Sequence, residues 1–174
     1  MAQQPDNTPL AITMGEPSGV GPELIARLWQ ERNTLSLKPF VYVGSIDALK
    51  AVVPDIAVQT LDNCGDAATI FQKAIPVLEI PTSDPITLGT PSPANGAAVI
   101  QTIDAAVKQA QEDNVSAVVT APIHKAALYN VGFDAPGHTE YLARLCGQAD
   151  DSSIMMLTAK NLRVVPVTIH IALA

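Results

Sequence analysis

The strongest constraint on the fold is a transition that begins at Leu10. Leu10-Ala11-Ile12-Thr13-Met14 is a short apolar run of the kind that forms a buried strand, and it breaks at Gly15-Glu16-Pro17-Ser18-Gly19-Val20-Gly21-Pro22-Glu23. Pro22 suits the first turn of a following helix, Glu23 complements its dipole, and Leu24, Ile25, Leu28 and Trp29 supply an inner stripe. Strand, glycine loop and helix in succession point to the α/β class, because a strand that returns parallel needs a crossover element. A dinucleotide fingerprint does not follow. Leu24 stands where the third glycine should be, and the next strand, Phe40-Val41-Tyr42-Val43, runs into Gly44-Ser45 with no acidic residue at its end. A tight turn that needs small residues explains the loop, and its glycines and prolines also make a rigid rim that a ligand could approach.

Further strands are expected over Ala57–Leu61 and Pro76–Ile80, the latter at a sheet edge because it starts with proline. Ser45 is placed to cap a short helix through Val53, whereas residues 62–73 carry no clear period. Pro81 to Pro93 is a proline-rich loop. Asn95-Gly96 opens the clearest helix, with Val99, Ile100, Ile103, Ala106, Val107 and Ala110 on one face. Val115–Thr120 reads as a central strand, and Ala121-Pro122-Ile123-His124-Lys125 leaves its carboxyl end, where open α/β sheets bind ligands. Lys125 is therefore a candidate anion contact, although a single loop lysine is more often only solvated; His124 has no nameable partner.

Phe133-Asp134-Ala135-Pro136-Gly137-His138-Thr139-Glu140 delivers a histidine and a hydroxyl to the start of a helix whose expected buried stripe is Tyr141, Leu142, Leu145 and Cys146. Free N–H groups and the positive end of the dipole suit an anion such as a phosphate, with His138 and Thr139 beside it. The competing reading is that Thr139 only caps the helix and His138 only packs. Ile154–Thr158 and Arg163–His170 flank the polar turn Ala159-Lys160-Asn161 and can pair as a hairpin, which suggests a mixed sheet. The apolar ending Ile171-Ala172-Leu173-Ala174 suggests a chain that stops inside its fold.

With 174 residues, 48% hydrophobic and 16% charged, the chain can bury a real core and is not disordered. A net charge of −7 and ten scattered Lys and Arg residues leave no basic stripe, so nucleic acid is not an expected partner. Cys64 and Cys146 form no C-x-x-C unit and read as reduced core residues. The first nine residues lack the apolar segment of a signal peptide and no later run is long enough to span a bilayer, so a cytoplasmic protein without membrane association is expected.

Four spaced segments carry a resemblance. They are Thr13–Glu23, Thr120-Ala121-Pro122-Ile123-His124-Lys125, Gly137-His138-Thr139-Glu140, and Leu162-Arg163-Val164 leading to Thr168-Ile169-His170. In this order they resemble the 4-hydroxythreonine-4-phosphate dehydrogenases of pyridoxal phosphate biosynthesis, over the N-terminal half of that family. The resemblance implies a three-layer α/β fold like that of isocitrate and isopropylmalate dehydrogenases, here incomplete, with a first lobe over 1–126 and the beginning of a second over 127–174. It further implies a homodimer, NAD as oxidant, a divalent metal (zinc, magnesium or cobalt), and oxidation of a phosphorylated hydroxy amino acid followed by loss of CO2. His138 and Thr139 match the family's substrate-binding pair and His170 its first metal-binding histidine; the other metal ligands match nothing in this chain. The family's Thr-His-Leu-Pro run is replaced here by Thr168-Ile169-His170-Ile171-Ala172. The chain alone is accordingly expected to be inactive and to hold no tight metal. Two alternatives stand beside this expectation: a sister dehydrogenase for a four-carbon sugar-acid phosphate such as phosphothreonate, and a non-catalytic module that self-associates.

Overall fold

The computed structural model describes residues 8–135 and 137–168, and the chain divides into two units, Met1–Asp134 and Ala135–Ala174. In the first unit the apolar runs become five strands: β1 (Leu10–Thr13), β2 (Phe40–Gly44), β3 (Val58–Thr60), β4 (Ile75–Glu79) and β5 (Ala117–Thr120). They form one sheet in the order β3-β4-β2-β1-β5, and every pairing is parallel. The crossovers carry α1 (Gly21–Gln30), α2 (Ile46–Val52), α3 (Ala67–Ile70) and α4 (Gly96–Gln111), and α5 (Lys125–Tyr129) follows β5.

The pleat decides which helix each strand residue meets, since alternate side chains point to opposite faces. Ala11, Val41 and Val43 share one buried cluster with Cys64, Ala67 of α3 and Ala106 of α4. Phe40 and Tyr42 point the other way. Phe40 meets Phe71 edge to face at 4.9 Å between ring centroids, and the Trp29 indole N–H of α1 donates to the Phe71 carbonyl at 2.8 Å. Helices on both faces of a parallel sheet give the three layers, and β2, buried along its whole length, is the centre of the core.

Several local expectations change. The inner face of α1 is Pro22, Ile25, Ala26 and Trp29, while Leu24 and Leu28 face outward. Neighbouring apolar residues in a four-residue stripe left the sequence ambiguous about which side turns in. β4 lies inside the sheet, between β3 and β2, although it contains Pro76. A parallel strand bonds each neighbour through alternate residues. On the β3 side the Ile75 N–H donates to Ala57 O and Val77 O accepts from Leu61, so that neighbour asks nothing of Pro76. On the other side the register with β2 begins only at Val77 opposite Tyr42, so proline sits ahead of the ladder that would need its N–H. β5, expected to be central, ends the sheet order and pairs only with β1 among the described strands.

The second unit contains α6 (His138–Leu145), a 3-10 turn at Asp150–Ser152, and the strands β6 (Leu157–Ala159) and β7 (Leu162–Val164). β6 and β7 pair antiparallel around Lys160, which adopts φ 52°. The hairpin is as expected but it makes a two-stranded sheet of its own, so the five-stranded sheet is parallel and not mixed. Both hairpin strands are exposed throughout, so the apolar residues that suggested a place in the main sheet are not buried in it. Arg144 holds the 3-10 turn with two 2.6 Å hydrogen bonds to Asp150, and these keep the Asp150 carboxyl below the usual carboxylate range.

Candidate functional site

The carboxyl ends of parallel strands are where α/β proteins place ligands, and here that edge is made by the loops after β1, β2, β4 and β5. The loop from Gly15 to Val20 turns back on itself. The Ser18 N–H donates to Glu16 Oε1 at 3.1 Å, the Gly19 N–H donates to Glu16 O, and Ser18 O accepts from Gly89 of the proline-rich loop. Glu16 and Ser18 are buried. The glycines answer to protein contacts. Gly15 has φ +68°, and a Cβ there would lie 2.5 Å from Pro122 O; at Gly21 it would lie 2.4 Å from Met14 O. These residues are small because β1, α1 and the exit of β5 pass too close for anything larger, which supports the tight-turn explanation of the loop.

Beside it, Ser45 occupies the N-cap position of α2 but makes no side-chain cap bond. The Ile46 N–H instead donates to Glu79 Oε2, at 3.0 Å, from the end of β4. A carboxylate against a helix N-terminus is favourable, yet burial pushes the Glu79 carboxyl above its ordinary value, the Ile46 bond opposes this and Asp47 adds to it. Tyr42, whose hydroxyl donates to Ser45 O, is held well above the usual phenol value by burial and then by Glu79. Glu79 was missed because its partner is thirty-three residues away. Only the position of an acidic residue at a strand's carboxyl end could have hinted at it.

Lys125 is the first residue of α5, exposed and preceded by His124, whose carbonyl accepts the Ala127 and Leu128 N–H groups. In the second unit, His138 and Thr139 are the first two residues of α6. Gly137 is the N-cap, with extended backbone and no side-chain cap bond, so Thr139 does not cap this helix. The first turn therefore offers backbone N–H groups together with an imidazole and an exposed hydroxyl, the donor set that suits a phosphate. The stripe on α6 is weaker than its periodicity promised. Ala143 is its only buried residue among those described, and Cys146 is exposed, unlike Cys64, which is wholly buried with its thiol pushed up to about 11 by burial. A cavity of about 350 Å³ runs beside this helix, lined by Thr139, Leu142, Cys146, Gln148 and Ser153 among others.

His170 lies outside the described residues. Among the described residues no three His, Cys, Asp or Glu side chains converge, so these residues by themselves do not fit a resident metal. No described helix is long and apolar enough to cross a membrane.

A five-stranded parallel sheet with helices on both faces places the chain in the α/β class. Residues 36–174 match the profile of the family described as pyridoxal phosphate biosynthetic protein PdxA, and the chain belongs to that family. It is 42% identical over 163 residues to the 4-hydroxythreonine-4-phosphate dehydrogenase of Zymomonas mobilis, a match over 94% of this chain and 48% of that protein. The crystal structure of a 4-hydroxythreonine-4-phosphate dehydrogenase from Burkholderia phymatum superposes with a TM-score of 0.81 at 32% identity, over 94% of this chain and 50% of that one. A terephthalate 1,2-cis-dihydrodioldehydrogenase from Burkholderia xenovorans shares the fold, with a TM-score of 0.70 at 19% identity over 91% of this chain and 47% of that one. The chain spans about half the length of the relatives it matches.

Proposed function

We propose that this chain forms the N-terminal part of an NAD- and divalent-metal-dependent dehydrogenase that oxidises 4-phosphooxy-threonine, with subsequent decarboxylation, in pyridoxal phosphate biosynthesis. The observation that carries this reading is membership of the PdxA family across residues 36–174, with relatives named for that activity. The whole protein would adopt the isocitrate dehydrogenase-like fold as a cytoplasmic homodimer, its first lobe covering 1–126 and its second beginning at 127.

In this reading the first turn of α6 holds the phosphate ester: the backbone N–H groups and Thr139 hydroxyl donate to its oxygens, and the His138 imidazole is the neighbouring side-chain contact. Lys125, at the carboxyl end of β5, is read separately as a point-charge contact for a phosphorylated substrate. NAD, when bound, supplies the acceptor for the hydride that leaves the carbon bearing the secondary hydroxyl. His170 would give one ligand to a metal whose remaining ligands come from beyond this chain. The 174-residue chain alone is then inactive and binds no stoichiometric metal, which elemental analysis after dialysis and an NADH-formation assay would test.

The fold itself does not choose the substrate, since it is shared with a dihydrodiol dehydrogenase. Comparing kcat/KM of a full-length version on 4-phosphooxy-threonine and on phosphothreonate decides between the two substrates. The reading expects the first to be preferred, and equal or reversed preference overturns it. One observation favours a second reading, a non-catalytic module that self-associates: β5 is uncharged, pairs only with β1 among the described strands, and leaves Val119 42% exposed. A clean monomer by light scattering across micromolar concentrations would count against it.

A further inference from the structure

We infer that Thr13 and Gly15 are positioning residues for Lys125; this rests on the reading of Lys125 as a phosphate contact. The ladder between β1 and β5 ends where Thr13 stands opposite Thr120. The backbone beyond β5 is nevertheless held to β1 for two more residues. The Ala121 N–H donates to the hydroxyl of Thr13 at 3.4 Å, and the Glu16 N–H donates to Pro122 O at 2.9 Å. Pro122 has no N–H of its own, so its carbonyl is the one main-chain handle it offers. Gly15 makes the second tie reachable, because its left-handed φ and missing Cβ let the loop pass directly against Pro122 O and Ala121.

From that point only Ile123 intervenes before His124, whose carbonyl opens α5 with bonds from Ala127 at 3.0 Å and Leu128 at 3.3 Å. The main chain of Lys125 is thus registered to β1 through a side-chain hydroxyl and a loop amide. Thr13 is wholly buried, so its hydroxyl acts through the segment it holds and not by touching a ligand. The sequence hid this device, since a threonine at the end of an apolar run reads as a β-branched strand residue.

The test titrates O-phospho-L-homoserine, which lacks the hydroxyl that would be oxidised, into the 174-residue chain and its variants by amide NMR. Lys125→Ala is expected to weaken binding, and Thr13→Val to weaken it about fivefold, as a modest misplacement of one charged contact should. Thr13→Ser, which keeps the acceptor, restores the parent affinity. In a Lys125→Ala background Thr13→Val has no further effect, because the two act through one contact. Undiminished binding by Lys125→Ala, or no binding by the parent, overturns the phosphate reading and this inference with it. An effect of Lys125→Ala with none from Thr13→Val, or a Thr13→Val effect that persists without Lys125, overturns the positioning role alone. Amide exchange on the unsubstituted chain provides a check that needs no variant to fold: Ala121 N–H is protected, and exchange at the free-peptide rate rejects the tie.

Discussion

α1 and α6 both begin after a glycine turn with no side-chain cap, yet they present opposite faces to a ligand. Before α1 the turn is closed by the protein. Glu16 fills it with a buried carboxylate, and Met14, Ala121 and Pro122 crowd its glycines. Before α6 the N-cap Gly137 is extended and Thr139 is exposed, so the first turn is open to an incoming anion. The lesson is that glycine density measures how closely the backbone must pass something. Whether that something is protein or ligand depends on the neighbours.

The comparison breaks first at its glycines. Gly15→Ala forces a left-handed φ on a residue with a Cβ and drives that Cβ into Pro122 O, so a loss of about 2 kcal/mol or more is expected in urea denaturation. Gly137→Ala meets no such φ, since −170° is ordinary extended backbone, and is expected to cost at most about 1 kcal/mol. Equal losses would remove the distinction between a closed and an open turn. At α6 itself, His138→Ala and Thr139→Ala in a full-length version are each expected to weaken substrate binding by roughly 1.5 to 3 kcal/mol, read by calorimetry, with an unchanged Tm. If both bind like the parent, the open turn is not the phosphate site.

The two cysteines sharpen the same contrast between a packed first unit and an open second one. An aromatic disulfide reagent should label Cys146 in the folded chain and reach Cys64 only in denaturant. Two fast equivalents without denaturant would mean that the core around β2 opens readily.

The smallest effect is expected at Glu79. Its folded value is raised, so its contribution to stability is complete below the unfolded carboxylate value of about 4.3 and is lost as pH rises through the higher folded value. Glu79→Gln keeps an acceptor for the Ile46 N–H and removes the repulsion with Asp47. It should flatten that segment of the stability-versus-pH curve, and an unchanged curve would show that the burial of this carboxyl has no energetic consequence.

Much of the first unit was readable because its strands are short apolar runs bounded by glycine and proline, and α4 is long enough for its period to be unmistakable. Strand order was not. Pro76 suggested an edge, and only the register with β2 shows why an interior strand tolerates it. The apolar run through Val115–Thr120 suggested a centre, but that run cannot say how many neighbours it will have. At the candidate site, the placement of His138 and Thr139 at a helix start followed from Pro136-Gly137 and the period after it. The bonds from Glu79 to Ile46 and from Ala121 to Thr13 were invisible because they join residues far apart in the chain.

The strand order also has a consequence in time. Among the described strands β1 leaves the ribosome ahead of the others, and β2 can cover one of its edges soon afterwards, but the other waits for β5, which starts only at Ala117. While β4 and α4 are still being made, β1 keeps one row of N–H and C=O groups open beside an assembled core. Closing that gap demands the longest loop closure in the sheet, a contact of high sequence separation that is entropically costly and slow. The nascent chain is therefore most vulnerable to wrong pairing just before β5 arrives, and a chaperone that shields the β1 edge during that interval would raise the yield of folded protein without changing its stability.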